Sequence, residues 1–191
     1  MRLWPLALLL ACTPAAERRP VDPQALRGVT LGLPVPADAR DTPGIGCGQV
    51  ISDLSLRAHK ALIASFGEAG ANATNASTGP WVLTVALREA TMGPENERAR
   101  PTDRPLATGL PSPDQPPPQQ PQQSWLNSGQ GQVAVVLDAT LARNGAIVWR
   151  ETVTGHASSA PCVQAVDKVR EALQDAADKL RERVVPLIRQ Q

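Results

Sequence analysis

The sequence predicts an α+β two-layer sandwich: about four mostly antiparallel strands, covered on one face by two helices. Three observations predict it. Apolar residues alternate with others at Val29, Leu31, Leu33 and Val35, at Trp81, Leu83, Val85 and Leu87, and again between Val133 and Val153, the period-two pattern of strands with one buried face. Two further stretches, from Leu54 to Phe66 and from Val166 to Leu187, repeat apolar residues every third and fourth position, the period of a helix with one buried side. Their order of strand, helix, strand, hairpin, helix leaves one sheet and two helices to bury against each other.

Taken in order, the chain of 191 residues opens with Arg2 and a short apolar run from Leu3 to Ala11. A charged start, about eight apolar residues and a small residue before the cut read as a bacterial export signal. Leu9-Leu10-Ala11-Cys12 resembles a lipobox, in which residues 1–11 are removed and Cys12 becomes the acylated first residue. An ordinary secretory signal with an incidental Cys is the alternative; a transmembrane anchor fails because the run is about half the ~20 residues a span needs. Residues 12–27, polar and proline-bearing without period, read as a tether. The first strand follows, and Pro34 and Pro36 confine it to an edge or end it early. Gly44 to Gly48 read as a turn around Cys47. Ser52 or Asp53 can cap a helix with Leu54, Ala58, Leu62, Ile63 and Phe66 on one face, stopping near Gly67 to Gly70.

After the strand at Trp81 the pattern collapses over residues 93–131, a tract containing PSPDQPPPQQPQQ. So much Pro and Gln cannot bury a core, and the tract reads as an extended or disordered insertion. Asn144-Gly145 then marks a hairpin. A two-residue loop would set Leu137 opposite Thr152 and mix apolar with polar faces. The expectation is therefore a three-residue loop over 143–145, pairing Leu141 with Ile147, Ala139 with Trp149 and Val135 with Val153, with Asp138 opposite Arg150. Glu151 is then a misfit on the apolar face. The last helix, about 162–190, has a stripe of Val166, Val169, Leu173, Ala176, Ala177, Leu180, Val184 and Leu187. Asp167, Lys168, Glu171, Asp175, Asp178, Lys179 and Glu182 fill its opposite side, and Ser158 and Ser159 are the expected caps. With strands running up, up, down, up, both helices begin at one end of the sheet. That end holds Cys47, Cys162 and the insertion, and the tether joins the other.

Residues 28–191 are of single-domain size. The formal net charge of +1 becomes about zero once Arg2 leaves with the signal, so no basic patch points to nucleic acid. In an exported chain disulfides persist, and with Cys12 acylated one bridge between Cys47 and Cys162 is the simple assignment. Two free thiols or a redox site are the alternatives, although neither Cys belongs to a Cys-x-x-Cys pair. His59 and His156 lack a metal-binding spacing, and no nucleophile elbow or phosphate loop is present; no metal or cofactor is expected. Asn72-Ala73-Thr74 and Asn75-Ala76-Ser77 match glycosylation sequons and read as polar loop residues.

The lipobox-like segment, the order of elements and the phrase LDATLARNGAIVWRETVTG together resemble small outer-membrane lipoproteins of Gram-negative bacteria. Among these are the lipopolysaccharide-assembly lipoproteins and the auxiliary lipoproteins of lipid-transport ABC systems. The resemblance covers the signal and residues 28–190 apart from the insertion, and it transfers no binding residue. It implies a non-enzymatic, lipid-anchored accessory or assembly factor that binds a larger envelope or transport protein. Thr13, at the position where Asp favours inner-membrane retention in enteric bacteria, implies the periplasmic face of the outer membrane. Within this reading residues 111–123, as polyproline II, either form part of that contact or are an unselected spacer. Two other classes stand beside it: a periplasmic lipid-binding module whose apolar layer opens for an acyl chain, and an enzyme using Cys47, His156 and Glu151 as nucleophile, base and orienting acid.

Overall fold

The computed structural model describes residues 21–46, 49–93 and 130–190. Along the chain come β1 (Thr30–Gly32), β2 (Ala37–Asp38), β3 (Gly44–Gly46), β4 (Gln49–Val50), α1 (Leu54–Glu68), β5 (Asn72–Thr74), β6 (Trp81–Gly93), β7 (Gln130–Arg143) and β8 (Ala146–Pro161). A 3₁₀ turn (Cys162–Gln164) then leads into α2 (Ala165–Arg189). The sheet order is β5-β1-β6-β7-β8, with β2 also on β6, and β3 and β4 form a separate small hairpin. β1 and β6 are parallel, β7 is antiparallel to β6, and β8 antiparallel to β7, which are the directions the sequence predicts. Two helices packed on a mostly antiparallel sheet make this the expected α+β sandwich, although the sheet has six strands rather than four.

The extra strands have local causes. Pro34 and Pro36 interrupt the first strand, so it is split into β1 and β2 along β6. It is not an edge, because β5 pairs with β1 on its far side. Asn72, Ala73 and Thr74, expected in a loop, are that added strand, and the Leu33 N–H donates to the Thr74 carbonyl at 2.7 Å. The turn expected around Cys47 is flanked by the β3–β4 pair.

One face of the long strands is buried under both helices. Leu83, Val85 and Leu87 of β6, Val133, Val135, Leu137, Ala139 and Leu141 of β7, and Val153 and Ala157 of β8 meet Leu62 and Phe66 of α1 and Leu173 and Leu180 of α2 in a single core. Fully burying each such aliphatic side chain contributes about 1.5–3 kcal/mol. The opposite face carries exposed Thr84, Arg88, Arg150 and Thr152. Gly155 lies where α2 crosses β8: a Cβ there would sit 2.0 Å from the Ala172 carbonyl oxygen and 2.6 Å from the Ala176 nitrogen.

The hairpin register corrects the expected three-residue loop. Arg143 pairs with Ala146 around a two-residue turn, with Asn144 at φ 49° and Gly145 at φ 83°, the left-handed pair that Asn-Gly favours. The register then shifts between Leu141 and Ala142, leaving Val148 as an extra residue in a bulge. Beyond it Leu141 faces Trp149, Ala139 faces Glu151, Leu137 faces Val153 and Asp138 faces Thr152. Apolar faces match, as they must, but the bulge rather than the loop corrects the phase. A second shift at Leu87 to Glu89 keeps Ala90 and Met92 in the core, and carries β6 to Gly93.

Candidate functional site

Two ends of the molecule, separated along α2, frame every candidate site. α2 has 25 residues, a length of about 37 Å at 1.5 Å per residue. At its start Cys162 is disulfide-bonded, and Gln49 Nε2 donates to the Cys162 carbonyl at 3.5 Å, so the strand following Cys47 stands against Cys162. Cys47 itself, Cys12 and residues 111–123 lie outside the described residues. The mouth of the insertion is at this same end, since Gly93 pairs with Gln132 and Gln130 with Pro161. Val50 and Val163 are exposed there, at 66% and 81%. Val21 and Asp22 lie instead at the far end of α2, lining with Ala25, Val185 and Arg189 a cleft of about 210 Å³. The N-terminal segment therefore joins the domain at the end opposite Cys162.

Between the helices lies a buried polar cluster. Ser65 Oγ donates to Asp178 Oδ1 at 2.8 Å and Gln174 Nε2 to the same oxygen at 3.0 Å. Arg181 Nη1 lies 3.1 Å from Asp178 and 3.0 Å from Glu68 Oε2, and donates to the Ser65 carbonyl at 3.2 Å. Asp178, expected on the solvent side, is 8% exposed and Arg181 5%, because α1 packs along that flank of α2. These bonds tie α1 to α2, and Arg181 also lines the cleft beside Val21. Above the cluster, Arg57, Lys60 and Arg170 surround Ala61 and Leu173 in a shallow groove of about 220 Å³. Two of these cations are engaged, Arg57 with Asp53 at 2.9 Å and Arg170 with Asp167 at 3.3 Å.

Of the residues weighed for catalysis, Glu151 and His156 lie on opposite faces of β8. Glu151 ion-pairs with Arg183 of α2, which accounts for a carboxylate on the helix-covered face of β8. His156, five residues along an unbroken register, projects from the opposite face. His59 Nε2 donates to the Leu33 carbonyl at 2.8 Å and ties α1 to the chain leaving β1. Ser158 and Ser159 do not cap α2; they belong to β8, which runs on to Pro161, and Ser158 Oγ accepts from Lys168 Nζ at 2.8 Å. On the outer sheet face Asp138 accepts from Thr152 Oγ1 and Arg88 Nε, both at 2.6 Å. The Thr152 hydrogen bond first, and then Arg88, hold its carboxyl below the usual range. Among the described residues no three His, Cys, Asp or Glu are placed to hold a metal ion, and no helix is long and apolar enough to cross a membrane.

No family model and no curated protein sequence matches this chain. Among solved structures it is similar to a Xanthomonas campestris protein of family DUF330, with 16% identity over 91% of each chain and a TM-score of 0.55. That likeness shows a shared fold. The chain also aligns with the PelC dodecamer of Paraburkholderia phytofirmans, at 16% identity over 85% of this chain and 91% of that one, TM-score 0.45. A minor lipoprotein of Acinetobacter baumannii aligns at 13% identity over 83% and 94%, TM-score 0.39.

Proposed function

We propose that this chain is a lipid-anchored, non-enzymatic lipoprotein of the cell envelope, acting as an accessory or assembly factor by binding a larger protein from the periplasmic face of the outer membrane. The observation that carries the reading is the opposition of the two ends. Cys12 of the lipobox-like segment precedes the domain by only the residues up to Val21, and Val21 lies at the end away from Cys162. A lipid on Cys12 tethers that end to the bilayer, within about 3.5 Å of chain per intervening residue, and turns the Cys162 end, the insertion mouth and exposed Val50 and Val163 toward the periplasm. In this reading Cys47 is the partner of Cys162, and it closes the distal end.

The test is crosslinking of the full-length lipidated protein in its own cells, followed by isolation from the outer membrane and identification of what accompanies it. One abundant transport or envelope-assembly protein, lost when residues 111–123 are deleted, is the expected result and names the machine, whether lipopolysaccharide assembly or lipid transport. A protein recovered in the inner membrane, or one that carries extractable lipid and no protein partner, overturns the reading in favour of a self-contained lipid-binding module.

A further inference from the structure

The two margins of the sheet differ. β5 is three residues long, whereas β8 has sixteen and, among the described residues, no strand on its outer side. A long bare strand margin is a template for another strand, and β8 is shielded over part of its length. Toward Cys162, Asp175 Oδ2 accepts from the His156 backbone N–H at 2.8 Å and Lys179 Nζ donates to the Thr154 carbonyl at 2.9 Å. The two side chains, one helical turn apart, pair at 2.7 Å. This clamp occupies the outward C=O of Thr154 and the outward N–H of His156. Because the register is unbroken from Trp149 to Ala157, the N–H and C=O of Arg150 and Thr152 point outward as well. Among the described residues nothing meets them. Beside them Ile147 and Val148 are 60% and 41% exposed. Arg150 is exposed, and its Nε donates to Thr140 Oγ1 at 3.3 Å; its charge reaches Asp138 across the outer face, but among the described residues it makes no direct ion pair.

We propose that residues 146–152 of β8 receive an extended, carboxylate-bearing segment of a partner protein as an added strand, with the Asp175–Lys179 clamp setting its upper limit. The proposal rests on the protein-binding reading above and adds to it a second contact, at the hairpin end of β8 and not at the Cys162 end. A second copy of this chain does not fit. Antiparallel self-pairing about Arg150 sets that cation against its own copy, and centring on Glu151 sets two carboxylates against each other, both unfavourable. Pairing about Thr152 needs the Thr154 carbonyl that Lys179 already occupies. A foreign strand with Glu or Asp opposite Arg150, and apolar side chains toward Ile147 and Val148, satisfies all three constraints by backbone addition.

The experiment is amide exchange on the full-length, ¹⁵N-labelled lipidated protein in micelles, with a short capped peptide alternating Val and Glu as the probe. Exchange at Arg150 and Thr152 should slow about tenfold or more, while His156, already bonded to Asp175, should hardly change. The same peptide N-methylated along one edge should have no effect, and a Lys-for-Glu peptide should bind about tenfold more weakly. Arg150→Pro removes an outward N–H that the β7 ladder does not use, a position where Pro is tolerated, and should abolish the protection. Lys179→Ala combined with Asp175→Ala should extend it to Thr154. No protection at millimolar peptide, or equal protection by the N-methylated peptide, overturns the proposal. Absence of any crosslinked partner in cells would overturn the accessory reading while leaving the peptide result as it is.

Discussion

At single residues the fold is most sensitive where backbone meets backbone. Gly155 has no side chain to bury, yet it decides how closely α2 lies on β8, since a Cβ would overlap the Ala172 carbonyl. Neither partner is the flexible end of a side chain, so the helix itself must move. Gly155→Ala should cost about 1–3 kcal/mol or more, read as a lower urea midpoint with an unchanged slope. Asp138 makes the complementary electrostatic case. Its folded-state carboxyl is held low by the Thr152 hydroxyl and then by Arg88, so its stabilisation is fully present above the unfolded value of about 3.9 and is lost as pH falls through the lower folded value. The stability difference between the native protein and Asp138→Asn should therefore be constant near neutral pH and shrink below about pH 4. A difference that grows on acidification would contradict this. The sequence expectation paired Asp138 with Arg150; the bulge at Val148 replaces that partner with Thr152.

At the level of elements, what was legible in the sequence was whatever repeats with a period. The stripe of α2 reads correctly because Val169, Leu173, Ala176, Leu180 and Val184 all reach the core, and the strand directions follow from element order and connection length. What escaped was non-periodic. β5 is three residues with no alternation to detect, and Asp178 occupies a helix flank that is exposed or buried according to where α1 lies, which local spacing does not encode. The hairpin shows how two sound local signals can be reconciled incorrectly. Asn-Gly demanded a two-residue turn and the apolar faces demanded a phase shift; the chain satisfies both with one surplus residue, Val148. Deleting Val148 should then leave Arg143 opposite Ala146 and Leu141 opposite Trp149, at a cost of about 1 kcal/mol or less. Deleting Thr154 removes the same number of non-hydrogen atoms from the same strand but forces Val153 outward and Thr152 against Leu137, at about 2–4 kcal/mol. Equal losses in the two deletions, measured by chemical denaturation, would show that the bulge does not set the phase.

On the scale of the whole molecule, the end that holds Cys162 is assembled from segments far apart in sequence: β4, the mouth of the insertion and the start of α2. Ile45, Ile51, Met92 and Ala165 are buried there, but Val50 and Val163 face solvent and Gln49 reaches Cys162 through one long hydrogen bond. A covalent link is the efficient way to hold such an end. If Cys47 is the partner, the closed loop exceeds a hundred residues, and constraint of the unfolded chain contributes on the order of 4–5 kcal/mol in the entropic model. Reductant should then lower the denaturation midpoint of the native protein, and Cys47→Ser and Cys162→Ser should each reproduce that loss and become insensitive to reductant. Cys12→Ser separates anchoring from bracing. It should release the protein from the membrane fraction while leaving the reductant-dependent stability intact, because in the proposed orientation the lipid and the bridge act at opposite ends of α2. Loss of both properties in Cys12→Ser would instead place Cys12 in the bridge, and with it remove the proposed lipid anchor on which the proposed orientation depends.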